Sequence, residues 1–204
     1  MKNYKTEQEI FWKNNFGDNY TTRNKATFSN RINTIGKDLL QNNLQIDSAF
    51  EIGTNVGKNL DALKHIYPRI KTYGVEINKK AYQICKTKHI CFNNSIYDFK
   101  SKKKFDLVFT SGVLIHQNPN YLKKIYTKIY NLTKKYIYIS EYFNPEPVMI
   151  SYRNNKDKLF KRDFAKEIWK MYPKLKLLDY GFHWKEDPIK KDCCDNPNWF
   201  LFSK

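Results

Sequence analysis

Five short apolar runs separated by helix-length stretches constrain this chain more than anything else in its 204 residues. Ser48–Ile52, Lys71–Val75, His89–Phe92, Phe105–Thr110 and Lys135–Ser140 are four to six residues long and rich in β-branched and aromatic side chains, as strands are. Lys58–Ile66, Lys79–Thr87 and Tyr121–Leu132 carry apolar residues at helical spacing among polar ones. Strands met in this rhythm are joined by crossovers, which make a parallel sheet with helices on both faces. Leu159–Tyr172 reads as one more helix. Leu175–His183 and Trp199–Ser203 then follow with only a polar loop between them, so this last pair is predicted to run antiparallel. The expected sheet is seven-stranded and mostly parallel, with an antiparallel last strand.

Ahead of the sheet, residues 6–45 read as helical. Phe11, Trp12, Phe16 and Tyr20 come first, with a turn expected at Gly17-Asp18-Asn19, and Ala26–Asn42 forms a second helix bearing Phe28, Ile32, Ile35, Leu39 and Leu40. There is no repeat and no low-complexity linker, and the length suits one packed core. The organisation expected is a helical extension over 1–45, acting as a lid, on a single compact domain over 46–204.

The net charge is +17, yet only five of the 37 basic residues are arginines, and the lysines are scattered apart from short runs such as Lys102-Lys103-Lys104. That distribution reads as a solvated lysine-rich surface, with a nucleic-acid partner as the alternative. No run of about 18 apolar residues is present. The first residues lack the apolar stretch of a secretory signal, so a cytoplasmic location is expected. Cys85, Cys91, Cys193 and Cys194 form no Cys-x-x-Cys pair and are expected to be reduced thiols. The less favoured alternative joins Cys193 and Cys194 to His183 as metal ligands; no metal is expected.

The loop after the first strand is Gly53-Thr54-Asn55-Val56-Gly57. Gly53 permits a tight turn, and Gly57 lets the next helix pack closely. Asn55 is the non-glycine residue type that best tolerates left-handed backbone angles. In open α/β sheets ligands bind beyond the carboxyl ends of the strands, where backbone amides of such a loop meet an anionic or polar group. Glu76 ends the second strand, at the distance from the loop where a carboxylate accepts hydrogen bonds from ribose hydroxyls. Asn94, Ser95, Ile96 and Asp98 follow the third strand. A doubly wound sheet closing on an antiparallel hairpin, with this loop and this acid, resembles the Rossmann-like class I S-adenosylmethionine-dependent methyltransferases. That resemblance implies S-adenosylmethionine as cofactor, held by Glu51, Gly53, Thr54, Asn55 and Gly57 at its amino-acid end. Glu76 and Ile77 would take the ribose, Ser95 and Ile96 the adenine, with Ser111 after the fourth strand.

Beyond the fourth strand, Gly112-Val-Leu-Ile-His116 places an imidazole where many small-molecule methyltransferases carry a histidine. Its two readings are a proton acceptor for a hydroxyl or amine and a packing residue that holds the loop. The Asn/Asp-Pro-Pro-aromatic motif of nucleic-acid amino methyltransferases is absent after the fourth strand; Asn144-Pro145-Glu146-Pro147 follows the fifth and reads as a rigid loop over the sheet edge.

From Phe11 to Phe202 the chain resembles the pseudaminic acid biosynthesis-associated methylase family. The resemblance rests on Phe11-Trp12, Phe16-Gly-Asp-Asn-Tyr-Thr-Thr-Arg-Asn24, Glu51–Leu60, Tyr73–Asn78, Gly112–His116, Glu141–Pro145, Tyr152-Arg153, Leu159–Ala165, Leu178–Phe182 and Trp199-Phe-Leu. Asn154 stands where the family has glycine. The resemblance implies methyl transfer to a small anionic sugar or sugar nucleotide of a nonulosonic acid or surface-glycan pathway in a bacterium. His116 and Tyr142 would be catalytic, and Tyr20, Arg23, Asn24, Asn144, Arg153 and Arg162 would bind the acceptor. The alternatives are an RNA or protein methyltransferase using the basic surface, and a cofactor-binding protein without catalysis.

Overall fold

The structure is a computed structural model that describes residues 4–24, 26–188 and 195–204. Two short helices open it, α1 (Glu7–Lys13) and α2 (Asn15–Arg23). Thr6 starts α1 with a capping box, its hydroxyl accepting from the Glu9 amide while the Glu9 carboxylate takes the Thr6 amide. The chain breaks at Asn14, whose backbone is extended, and not at Gly17-Asp18-Asn19, which lie inside α2. Gly17 serves close approach instead of a turn. A Cβ there would stand 1.8 Å from the Trp12 carbonyl oxygen and 2.8 Å from Asn78 Nδ2.

A third helical segment runs as α3 (Phe28–Arg31), a π-helical turn (Ile32–Gly36) and α4 (Lys37–Leu40). Ile35 and Leu39 sink into the core with Leu44, Ala49, Leu60, Leu63, Leu107, Phe109 and Leu201. Residues 28–46 are therefore part of the main body, and only α1 and α2 lie over it.

The sheet comprises β1 (Ser48–Ile52), β2 (Lys71–Glu76), β3 (Ile90–Asn93), β4 (Phe105–Ser111), β5 (Thr133–Glu141), β8 (Lys176–Phe182) and β9 (Asn198–Ser203). Its order is β3-β2-β1-β4-β5-β9-β8. All neighbours up to β5 are parallel, and β9 runs antiparallel to both β5 and β8. The expected mostly parallel sheet with an antiparallel last strand is thus what forms. Helices α5 (Lys58–Ile66) and α6 (Lys79–Cys85) cover one face with the 28–40 segment, while α7 (Leu122–Leu132) and α8 (Phe164–Met171) cover the other. No helix fills residues 94–104 between β3 and β4, where the strand order reverses.

Residues 144–161 depart from expectation. Val148–Tyr152 is strand β6 and Asn155–Lys161 is strand β7, a hairpin separate from the main sheet. Leu159–Lys161, read as helix, belong to β7, and α8 starts only at Phe164, after Asp163 caps the Lys166 amide at 2.8 Å. At the hairpin tip Arg153 and Asn154 both have positive φ, 50° and 62°, the conformation of a tight two-residue turn.

Two polar devices lock the layers. Asp106 accepts from the amides of Asp47 and Ser48 and from the Ser48 hydroxyl, fixing where β1 begins against β4. Buried Asp38 accepts from Tyr138 Oη at 2.7 Å and His183 Nε2 at 2.8 Å, joining α4 to β5 and to the end of β8. Cys85 and Cys91 face each other with their Cα atoms 6.5 Å apart, a separation that a disulfide can span. The tight reversal from α6 into β3 brings them within reach. Cys193 and Cys194 lie outside the described residues.

Candidate active site

Where the sheet reverses order between β1 and β4, the loop after β1 rises over the carboxyl ends of the strands. Its backbone is left-handed at Gly53 (φ 73°), Asn55 (φ 48°) and Gly57 (φ 87°). A Cβ on Gly53 would come 2.7 Å from Val113 Cγ2, and one on Gly57 would come 2.7 Å from His89 Cδ2. Two independent reasons, conformation and space, thus require both glycines. Asn55 takes the third left-handed position without glycine, as its residue type permits.

The loop walls a cleft that opens to solvent at its mouth. Glu51, Gly53, Thr54, Asn55, Glu76, Ile77, Ser95, Ile96 and Ser111 all line it, with Asn94. Gly57 does not; it packs beneath, against His89 and Cys85. Asp98 is also absent, being ion-paired at the surface with Lys5.

Two buried carboxylates face the cleft. Glu76 accepts the Asn55 amide at 2.7 Å and the Asn78 amide at 2.8 Å, so it holds the loop while keeping lone pairs for a ligand. Burial raises its pKa, and the amides of Asn78, Asn55 and Ile77 oppose the rise. Glu51 is 1% exposed. Its Oε1 accepts from Asn59 Nδ2 at 2.6 Å, and its buried Oε2 has no partner among the described residues. Burial pushes its pKa up to about 8, against the pull of Asn59 and Arg31. The side-chain oxygen and nitrogen of Asn55 are likewise buried without a partner among the described residues.

Residues of α1 and α2, with Asn24 at the end of α2, close the other wall: Gln8, Glu9, Trp12, Gly17, Tyr20, Thr21 and Asn24. Glu9 receives a hydrogen bond from the Ser95 hydroxyl, and Asn78 Nδ2 reaches Asp18 Oδ1 at 2.7 Å and the carbonyls of Trp12 and Lys13. Asn24 sits where α2 ends, its carbonyl accepting from Lys58. Burial raises the Tyr20 hydroxyl to about 12, so it stays protonated as a donor.

His116 also lines the cleft, 7% exposed. Its Nδ1 lies 2.6 Å from the Lys158 carbonyl oxygen of β7, which can only accept, so the proton is assigned to Nδ1 and the lone pair to Nε2. Burial lowers its pKa to about 4. Rings of Trp12 (4.6 Å between centroids) and Tyr152 (4.8 Å) flank it, and Phe16 stands 5.8 Å from Tyr152. Arg23 stacks on Phe16, its carbon Cζ 4.2 Å from the ring centroid, and its Nε and Nη2 are buried with no partner among the described residues.

Arg23 and the remaining candidates are not among the residues that line the cleft. Tyr142 packs against the core beneath Lys161, its pKa raised by burial and by Asp195. Asn144 bonds the Glu146 carbonyl, Arg153 is exposed at the hairpin tip, and Arg162 pairs with Glu167 at 2.7 Å.

Two residues that sequence reasoning passed over help to shape the site. Glu141, at the end of β5, accepts from the amides of Val113 (3.0 Å), Leu114 (3.1 Å) and Ile115 (3.3 Å) and so sets the turn that carries His116. Burial takes its pKa to about 7. Arg31 lines the cleft from the end of α3.

No family model matches the chain, and no curated protein does. Solved structures match it throughout. An S-adenosylmethionine-dependent methyltransferase from Clostridium acetobutylicum ATCC 824 is 13% identical, with a TM-score of 0.65 over 92% of this chain and 97% of that one. The magnesium protoporphyrin IX methyltransferase of Synechocystis PCC 6803, solved with bound S-adenosylmethionine, is 12% identical with a TM-score of 0.70 over all of both chains. The 1,6-didemethyltoxoflavin-N1-methyltransferase of Burkholderia thailandensis, solved with bound 1,6-didemethyltoxoflavin and S-adenosylhomocysteine, is 10% identical with a TM-score of 0.67 over 92% of this chain and 83% of that one. The chain therefore has the Rossmann-like fold of class I S-adenosylmethionine-dependent methyltransferases.

Proposed function

We propose that this protein is an S-adenosylmethionine-dependent methyltransferase acting on a small anionic sugar or sugar nucleotide of the nonulosonic (pseudaminic) acid or surface-glycan type. The observation that carries the cofactor reading is the set of buried, unsatisfied polar groups at one cleft under the β1 loop. Glu51 Oε2 suits an ammonium group, Glu76 a pair of ribose hydroxyls, and Ile77 and Ile96 offer apolar contact for a flat base. When bound, the cofactor supplies a methyl group already activated on a sulfonium.

What the protein adds is alignment and exclusion of water. Trp12, Tyr20 and their neighbours act as a lid over the reacting atoms. His116 keeps its proton on Nδ1 through the Lys158 carbonyl, so Nε2 can accept a hydrogen bond from an acceptor hydroxyl or amine and orient it. The anionic acceptor is read from Arg23, a half-buried guanidinium with unpartnered nitrogens beside the aromatic cluster around His116. The sugar class itself follows from the family resemblance in the flanking segments.

The test is turnover followed by S-adenosylhomocysteine release, with nonulosonic acids, their precursors and sugar nucleotides as acceptors, alongside mass spectrometry of small molecules that co-purify. Glu76→Ala should weaken S-adenosylhomocysteine binding at least 10-fold, the loss of a charge-assisted hydrogen-bond pair. Unchanged affinity would remove Glu76 from the cofactor site. Methylation of RNA in preference to every sugar, with steep salt dependence, would overturn the substrate class.

A further inference from the structure

Cys85 and Cys91 touch no part of the cleft wall, yet both belong to the layer that carries the loop after β1. Cys85 ends α6 and is buried in the cluster formed with Leu60, Leu63 and Leu107. Cys91 lies in β3 and packs against that same cluster. Only Lys86-Thr-Lys-His-Ile90 separates them, and the reversal is drawn tight by the amides of Lys88 and His89, which both donate to the Cys85 carbonyl at 3.1 Å. Each thiol also sits one contact from the loop. A Cβ on Gly57, at the loop's end, would stand 3.2 Å from Cys85 Sγ. Cys91 pairs in register with Gly74 of β2, and a Cβ on Gly74 would strike the Thr54 side chain at the loop's start.

The two sulfurs differ in access. Cys85 is closed into the core, whereas Cys91 is half-buried and lines a shallow groove with Tyr82, Phe92 and Lys100. Lys86 stands over the Tyr82 ring, 5.4 Å from its centroid. Two cations at the groove favour the thiolate form of Cys91, the form that reacts.

We propose that Cys85 and Cys91 are a redox-active pair that forms a reversible disulfide by exchange with a low-molecular-weight disulfide at this groove. Closing the pair clamps the support of the β1 loop and tightens the cleft. The Cys91 thiolate attacks one sulfur of the small disulfide and displaces a thiolate. The Cys85 thiolate then attacks the Cys91 sulfur of the mixed disulfide and displaces the second. One disulfide replaces another, and two electrons and two protons end on the released small thiols. A loop that is left-handed at Gly53, Asn55 and Gly57 depends on what holds it from beneath, and ordering that support in advance lowers the cost a ligand meets on binding. The pair stands on the two cysteines alone; its effect on the cleft rests on the cofactor reading given above.

The test uses protein carrying Cys193→Ser and Cys194→Ser, which leaves two thiols, equilibrated with oxidised or reduced glutathione, alkylated and peptide-mapped. The oxidised form should show Cys85 linked to Cys91 and should melt about 5–8 °C above the reduced form, as a short closed loop does in a chain of this size. It should also bind S-adenosylhomocysteine at least about 5-fold more tightly in isothermal titration. Cys91→Ser in the same background should abolish both differences. Thiols that stay open to alkylation in oxidised glutathione, or a link that leaves the Tm unchanged, would overturn the pair. A link that raises the Tm but leaves S-adenosylhomocysteine affinity unchanged would overturn its hold on the cleft. No binding of S-adenosylhomocysteine in either state would refute the cofactor reading, while the peptide map and the melts would still decide the pair.

Discussion

Glu51 offers a measurement that needs neither substrate nor cofactor. Its carboxyl is buried with one oxygen unpartnered, and it keeps its proton up to about pH 8, whereas in the unfolded chain it titrates near 4.5. Between those values the folded state binds more protons than the unfolded one, so stability falls as pH rises. Each pH unit corresponds to about 1.4 kcal/mol, so the interval from 4.5 to 7 amounts to about 3 kcal/mol. Glu51→Gln keeps the shape and an acceptor for Asn59 Nδ2 but cannot ionise. Because a chain of this size changes its Tm by roughly 2–4 °C per kcal/mol, the variant should gain about 10 °C on wild type between pH 4.5 and 7. The assay is a pair of thermal melts across pH 4.5 to 8 in matched ionic strength. Glu76 and Glu141 also titrate above the ordinary range, and they remain in both proteins, so the difference between the two curves isolates Glu51. Parallel curves would refute the reasoning, since they would mean that Glu51 ionises in the folded chain as easily as in water.

Gly57→Ala should destabilise the fold by about 1–3 kcal/mol, because the residue adopts φ 87° and its Cβ would meet the His89 ring; an unchanged Tm would contradict that. Tyr138→Phe removes one of the two side-chain donors to buried Asp38 and should cost about 1–3 kcal/mol in a denaturant melt, whereas a loss below about 0.5 kcal/mol would show that His183 alone satisfies the carboxylate. His116→Ala should lower turnover at saturating cofactor by at least 10-fold without altering S-adenosylhomocysteine affinity. Because burial holds His116 neutral down to about pH 4, the wild-type rate should show no inflection near 6.5, and an inflection there would mean that the imidazole is solvated during turnover.

The sheet was legible in the sequence because its strands are short, apolar and separated by helices at crossover distance. Each predicted boundary in the first five strands falls within three residues of the observed one. The glycine loop was legible for the same kind of local reason, down to the left-handed angle at Asn55. The β6–β7 hairpin was not. Val148, Met149 and Ile150 are all exposed, so no alternation of apolar and polar residues marks the strand, and the turn uses Arg153-Asn154 with no glycine. Arg31 was hidden for another reason. A π turn has no sequence period of its own, and without it Arg31 reads as one more surface cation on an amphipathic helix. Glu141 gives no local signal of its role, which depends on backbone amides about 26 to 28 residues earlier in the chain.

Asn78 ties the opening of the cleft to the body beneath it. Its backbone N–H sits on Glu76 in the floor of the cleft, its side-chain oxygen caps α6, and its side-chain nitrogen holds α1 and α2 from above. Parting those helices from the body would break the bonds of this amide, together with those of Ser95 to Glu9 and Lys58 to the Asn24 carbonyl. In amide hydrogen exchange, the protons of α2 and of residues 76–81 should become accessible in a single cooperative opening, with residence of a bound ligand set by how often that opening occurs.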